Sequence, residues 1–252
     1  MQCIPQVSVA ETTAHVDAQA LCANCAFSRA CSAMGYGKRD LAALQCLVEH
    51  APPLAEGEHV VRRGEPFRAI YAVRTGSVKA SLFSRDGREQ VLGFYLPGEV
   101  VGLNGIYPDC YPSDAIALER STFCRFSFPA MSDLAATLPA VQQHLFRMLS
   151  RELGMASRLA GDHTADERVA AFLLDLGHRH GQHGLSDTVF QLSMSRSDVA
   201  SHLRLAPETV SRVLSRFRAK GWVSVAGRRV QLRDVEALRD TGFALWQASS
   251  AA

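Results

Sequence analysis

Apolar positions follow a helical period at the edges of the chain and alternate between them. From Asp40, a helix-capping residue, Leu41, Leu44, Leu47 and Val48 recur at three-four spacing and predict a short helix that Pro52 and Pro53 end. From about Glu58 the texture becomes short β-rich runs: 59–62, 69–74, 77–83, 89–96, 114–119 and 122–128. Turn signals separate them at Gly64, Gly76, Asp86-Gly87 and Pro97-Gly98, which predicts a barrel or sandwich of the jelly-roll kind. Pro139 opens the longest helical pattern, to about Ala160, in which Phe146, Leu149, Leu153, Ala156 and Ala160 make a coiled-coil-like seam. Leu145, Met148, Met155 and Leu159 flank that seam, so one side is free to meet a partner helix while the other packs on the β region. A further helix from Ala165 to His180 buries Val169, Phe172, Leu173 and Leu176, and its His-rich end reads as solvated.

The stretch from Ser193 to Lys220 has the pattern of a helix-turn-helix. Ser195 and Asp198 form a capping-box-like start. Val199, Leu203, Leu205, Val210 and Val213 fall where such a unit buries its core, and Pro207 suits the first turn of the second helix. Arg204 stands at the turn position usually held by Gly. Glu208, Ser211 and Arg212 project from one face near the start of the second helix, the end that meets base edges in a major groove. Arg can fork onto guanine and Glu can accept from cytosine, so the implied half-site holds at least one G·C pair. Arg216, Arg218 and Lys220 are placed for phosphates, and Trp222 to Leu232, turning at Ala226-Gly227, reads as a hairpin wing.

Composition changes this picture only modestly. Hydrophobic residues make up 47% of 252, enough for a substantial core, and no apolar run approaches a membrane span. The first nineteen residues lack a signal peptide's basic start and apolar block, so a cytoplasmic location is expected, with no membrane partner. The net charge is +2, too small to imply nucleic acid by itself. From Thr164 onward there are twelve Lys plus Arg against nine Asp plus Glu, which leaves fifteen against sixteen of the chain's 27 and 25 for the rest. The basic excess is C-terminal.

Chemistry concentrates in the cysteines. Cys22, Cys25 and Cys31, spaced C-x2-C-x5-C, point to metal ligation more than to disulfides in a reducing compartment. Three thiols leave a fourth ligand to be found, for an iron–sulfur cluster or for zinc. Cys124 alternates onto one face with Phe126 and Phe128 and reads as a core thiol or as that ligand; Cys110 competes within the β region, Cys46 reads as a buried hydrophobe and Cys3 as a bystander. C-x-x-C also fits a thiol redox enzyme, but no strand-helix-strand pattern adjoins it. No Ser/His/Asp arrangement, phosphate loop or carboxylate pair suggests other catalysis.

The order of cysteine run, β-roll, long helix and winged helix-turn-helix resembles the CRP/FNR superfamily of transcription regulators, specifically its oxygen-sensing fumarate and nitrate reduction branch. The resemblance covers Cys22 to about Leu245 and rests most on the cysteine run, the lone Cys124 late in the roll, and Glu208-Thr209-Val210-Ser211-Arg212. It implies an α+β fold: an N-terminal double-stranded β-helix sensor domain of the cyclic-nucleotide-binding type, a dimerisation helix and a C-terminal winged helix-turn-helix. Expected divisions are 1–37 for the cysteine segment, 38–138 for the roll, 139–162 for the dimer helix and 163–248 for the DNA-binding domain. The resemblance further implies a [4Fe-4S] cluster on Cys22, Cys25, Cys31 and Cys124, and a homodimer that binds TTGAT-type palindromes when the cluster forms in anoxia. Oxygen would dismantle the cluster. Arg29 and Arg125 would stabilise the thiolates, and Ser84 to Gln90 would touch RNA polymerase. Pro112-Ser113 stands where cyclic-nucleotide sensors of the superfamily carry an Arg before Ser or Thr, so no cyclic nucleotide is expected. Two departures matter: the stretch from Ser150 to Glu167 is shorter than in familiar members, and Ala156 stands where an Asp often opposes dimerisation, which predicts a dimer less dependent on the cluster.

Overall fold

The computed structural model describes residues 47–182 and 185–250. The N-terminal half is a roll of two four-stranded antiparallel sheets. One joins β1 (Val48–His50), β8 (Thr122–Ser127), β3 (Ala69–Thr75) and β6 (Val100–Val101) in that order; the other joins β2 (His59–Val61), β7 (Asp114–Ala117), β4 (Val78–Phe83) and β5 (Glu89–Tyr95). Tight turns at glycines close the hairpins. Gly76 between β3 and β4 has φ 80°, and a Cβ there would lie 2.2 Å from the Ser121 hydroxyl oxygen, so both conformation and space require glycine.

Alternation gives each sheet two faces. On the first sheet Val73, Val101 and Phe123 point into the roll, where they pack with Tyr111 and Val78. Ile70, Ala72, Val100, Cys124 and Phe126 point outward and are covered by two helices, α1 (Phe128–Thr137) and α2 (Pro139–Ala160), through Met131, Ala135 and Val141.

The C-terminal half comprises α3 (Ala165–Gln182), β9 (Val189–Gln191), α4 (Arg196–Leu203), α5 (Pro207–Ala219), the hairpin β10 (Val223–Ala226) and β11 (Arg229–Leu232), and α6 (Val235–Ser250). Its core is continuous with the roll: Val91, Phe94, Leu96 and Leu118 pack in one cluster with Phe172, Leu203, Val210 and Phe217.

Several expectations need correction. The helical pattern that begins at Asp40 gives way by Val48 to a strand, because Val48, Glu49 and His50 pair with Phe126, Arg125 and Cys124; residues before 47 lie outside the described ones. The helix α1 and the short strands β6 and β9 had no counterpart in the pattern. The His-rich end of α3 is not simply solvated: His180 Nδ1 lies 2.7 Å from the Leu176 carbonyl, and the ring stacks on Phe190 at 5.2 Å. His183 lies outside the described residues.

Candidate nucleic-acid interface and thiol site

The start of α4 is a complete capping box. The Ser195 hydroxyl oxygen accepts from the Asp198 amide at 3.0 Å, and Asp198 Oδ2 accepts from the Ser195 amide at 2.9 Å. Such a cap contributes about 1 kcal/mol. Arg204 ends α4 at φ 56°, ψ 44°, the left-handed conformation a turn needs, at a cost of about 1 kcal/mol for a side chain other than glycine. The chain then enters α5 with Pro207 in its first turn.

The helix α5 divides cleanly. Val210, Val213, Leu214 and Phe217 are buried, while Glu208, Ser211 and Arg212 are exposed on the opposite side at its N-terminal end. Arg212 Nε donates to the Glu208 carbonyl at 3.4 Å, a weak restraint that leaves the guanidinium edge open. Arg218 is exposed. The other expected phosphate ligands are engaged within the domain: Arg216 pairs with Asp166 of α3, and the Lys220 ammonium sits 4.2 Å over the Trp222 ring. Arg216 and Lys220 are themselves exposed and their partners half-buried, so these contacts are weak and exchangeable. The wing adds two cations absent from the sequence reading: Arg228 and Arg229 are exposed at the β10–β11 turn, where Gly227 has φ 61°. Their adjacency at a predicted hairpin tip was the available signal.

The polar groups of α4 face the roll instead. Asp198 Oδ1 accepts from the Lys79 ammonium at 2.6 Å, and Lys79 also pairs with Glu89 at 2.9 Å. Burial disfavours both charges, but the Asp198 and Glu89 hydrogen bonds raise Lys79 above its ordinary value, and Lys79 with Ser195 holds Asp198 below its own. The Ser201 hydroxyl donates to the Glu89 carbonyl at 2.8 Å and accepts from the Val91 amide at 2.9 Å, and Gln90 Nε2 donates to the Ser201 carbonyl at 2.8 Å. Within the stretch Ser84 to Gln90, Glu89 and Gln90 are strand residues bonded to α4, and 84–88 form the open turn. His202, 6% exposed, packs between Phe94 and Phe172. Burial, with the nearby Arg179 charge, pushes it down to about 4, so it is neutral at pH 7.

Sequence reasoning missed Arg179. It falls three residues after Leu176, on the buried face of α3, and is 3% exposed. Its Nε donates to Glu99 Oε1 at 2.8 Å, Nη2 reaches Glu99 Oε2 and the Phe94 carbonyl, and Nη1 meets Asp175 at 3.2 Å. Burial disfavours the Glu99 charge, and Arg179 outweighs it, holding the carboxyl below its ordinary value.

Of the expected metal ligands, Cys124 lies in β8 and is 6% exposed; Cys22, Cys25 and Cys31 lie outside the described residues. Cys124 pairs across β1 with His50 and across β3 with Ala72, and its cluster includes Leu145 and Met148 of α2. Arg125, the neighbour expected to stabilise the thiolates, alternates onto the other face of the sheet from Cys124 and pairs with Glu49 of β1; Arg29 lies outside the described residues. Cys110 is half-buried beside a bridge between its own backbone and Pro66. Among the described residues no group of three or more His, Cys, Asp or Glu is disposed to hold a metal.

The expected seam on α2 presents Phe146, Leu149 and Leu153 at 60%, 36% and 71% exposure, with Ala156 exposed one turn on. Leu145 and Met148 turn the other way, onto the roll. The side chain of Ala160 lies outside the described residues.

Comparison with known proteins agrees with this architecture. Residues 53–137 match a cyclic nucleotide-binding domain, and 167–241 match a Crp-like helix-turn-helix domain. The chain is 38% identical over 219 residues to the transcriptional activator protein anr of Pseudomonas aeruginosa, covering 86% of this chain and 90% of that one. It is 34% identical over 220 residues to the fumarate and nitrate reduction regulatory protein of Yersinia pestis, covering 86% and 88%. Among solved structures, FixK2 from Bradyrhizobium japonicum superposes with a TM-score of 0.70 at 30% identity, covering 77% of this chain and 96% of that one. The two matched domains and the similarity along most of the chain are thus shared with relatives that regulate transcription and are not enzymes: the chain belongs to the CRP/FNR family of DNA-binding transcription regulators.

Proposed function

We propose that the chain is an oxygen-responsive regulator of transcription that acts in the cytoplasm as a homodimer on TTGAT-type palindromes. The observation that carries the sensing half is the position of Cys124, whose outward face of β8 is shared with Leu145 and Met148 of the dimer helix. Anything that seizes this thiol acts on the layer against which α2 packs.

The donors fit a [4Fe-4S] cluster held by Cys22, Cys25, Cys31 and Cys124. The strand β1 brings the chain to β8 with His50 opposite Cys124, and the seventeen residues from Ser32 to Val48 each span up to about 3.3 Å, so chain length sets no obstacle. An all-thiolate set suits iron–sulfur chemistry, and such a cluster supplies an oxygen-labile tie. The protein's own part is mechanical. A tie between the N-terminal segment and β8 would bear on the sheet–α2 layer, whose far side offers the stripe of Phe146, Leu149, Leu153 and Ala156 to a second copy. Two α5 helices then enter successive major grooves about 34–36 Å apart. Arg212 and Glu208 read the G·C pair, Ser211 bonds a neighbouring base, and Arg218, Arg228 and Arg229 take phosphates; Arg216 and Lys220 join them by exchanging Asp166 and Trp222 for the backbone. The turn at 84–88 is the surface offered to RNA polymerase.

Cyclic nucleotide has no place in this reading. Pro112 supplies no guanidinium for a phosphate, and the Ser113 hydroxyl accepts from Asn104 Nδ2 at 3.2 Å, while the buried Tyr111 ring stands edge-on to Phe67 at 5.6 Å with its hydroxyl donating to the Ala69 carbonyl at 2.7 Å.

Iron and sulfide analysis of protein isolated without air tests the proposal, with operator binding measured in parallel. The expected result is coloured protein whose absorption bleaches in air together with loss of DNA affinity, and a Cys124→Ser protein that lacks both. Zinc in place of iron, or unchanged operator binding by Cys124→Ser, overturns the sensing account and leaves a constitutive DNA-binding protein.

A further inference from the structure

The roll and the DNA-binding domain are joined by a short connection, by the bonds of α4 to β4 and β5 through Lys79–Asp198 and Ser201, and by an ion pair that alone among these contacts also meets the dimer helix. The connection is 161–164, between α2 and α3, and Arg168 of α3 holds it through the Gly161 and His163 carbonyls at 2.8 and 3.0 Å. The ion pair is Glu99–Arg179. Glu99 is fixed within the roll: its carboxylate accepts from the Leu96 amide at 2.9 Å, and its carbonyl accepts from the Val73 amide at 2.9 Å. Arg179 is fixed within α3, the first helix of the DNA-binding domain, by its i,i+4 pairing with Asp175. Arg151 of the dimer helix stands 3.5 Å from the same carboxylate. One carboxylate therefore touches all three parts whose relative placement decides where α5 points.

A buried ion pair is a poor adhesive, since apolar residues of similar volume hold two surfaces as well or better. Its distinctive property is direction. A guanidinium fork on a carboxylate accepts one relative orientation, and buried pairs of this kind are best attested as devices that set register. The apolar contacts around it, Phe94 on Phe172 at 6.1 Å with Leu96 nearby, tolerate sliding.

We propose that Glu99 and Arg179 are positioning residues that fix the angle of the DNA-binding domain on the dimer, and that they thereby set the half-site separation the protein accepts. The inference rests on the reading of a homodimer on a palindrome. Two reading helices held at a fixed angle match one separation, whereas one inserted base pair displaces and rotates the second half-site. Helices freed to swivel accept several separations.

The test uses full-length protein prepared without air and three probes: a TTGAT palindrome, the same palindrome with one base pair inserted at its centre, and a single half-site. The wild-type protein is expected to lose on the order of 100-fold in affinity on insertion, comparable to one or two mismatched base pairs. Arg179→Met should lose about 10-fold or less on insertion, with single half-site affinity unchanged, and Arg179→Lys should restore most of the discrimination. If Arg179→Met does not fold, Glu99→Leu combined with Arg179→Met removes both buried charges and serves in its place. A folded variant that keeps the wild-type insertion ratio overturns the proposal, as does an equal fall in half-site affinity, which would mark mere loss of structure. Wild-type protein that binds no palindrome would overturn the dimer reading first, and this inference with it.

Discussion

The two helices of the DNA-reading unit have similar polarity and opposite fates. On α4, Asp198, Ser201 and His202 are turned into the protein, and the first two are bonded to the roll through Lys79, Glu89 and Val91. On α5, Glu208, Ser211 and Arg212 are turned out, with only the 3.4 Å contact between Arg212 and a carbonyl among them. The polar groups of α4 are used up in fixing where the unit sits, and those of α5 are left open for the base contacts proposed above. Changes on α4 and its partners should therefore alter stability without altering base preference, and changes on α5 the reverse.

The largest effect expected is from Lys79→Met. It strands Asp198 without its cation in a seam where both side chains are mostly buried, at about 3 kcal/mol. Denaturant midpoints measure it, and the ranking of operator sequences should stay as it is. Acid should act on the same helix. Because His202 titrates at about 4 when folded against an ordinary 6.5, the unfolded chain binds a proton in that window that the folded chain refuses. Stability is then complete above pH 6.5 and is lost as pH falls toward 4, by up to about 3 kcal/mol. The lowered Asp198 and Glu99 carboxyls extend the loss to more acid pH. His202→Phe should flatten the dependence between pH 4 and 6.5, and an unchanged slope would show that His202 is not its source.

On the other helix, Arg212→Ala should weaken operator binding by about 1–3 kcal/mol and relax preference at the G·C pair, with melting unaltered. Equal weakening on an operator lacking that pair would move Arg212 from base reader to phosphate ligand. The smallest effect is Arg204→Gly, which relieves a left-handed side-chain residue at φ 56° and should stabilise by about 1 kcal/mol without touching specificity.

What could be read from the sequence follows the range of the interactions. The hairpins of the roll and the long helix announce themselves through glycine turns and three-four spacing, which are local. The helix-turn-helix does so through Ser195, Asp198 and Pro207, again local. The strand β1 does not, because Val48 continues a helical run of leucines and becomes a strand only through pairing with β8, some seventy residues away. Neither does α1: Met131, Leu134 and Ala135 make too short a stripe behind Pro129 to stand out. At the candidate site, the outward placement of Glu208, Ser211 and Arg212 was legible because an amphipathic helix has one outward face. Glu99–Arg179 and Lys79–Asp198 were not, since each pair joins elements that only the folded chain brings together.

The helix α2 carries two apolar faces, one packed and one exposed. Leu145 and Met148 grip the sheet that carries Cys124, while Phe146, Leu149 and Leu153 wait on another side. Neighbouring residues on a helix differ in heading by about 100°, so the cylinder cannot roll to improve one grip without spoiling the other. In the proposed dimer a small twist at the sheet would be passed by α2 to its exposed stripe, as a cam passes rotation to its follower.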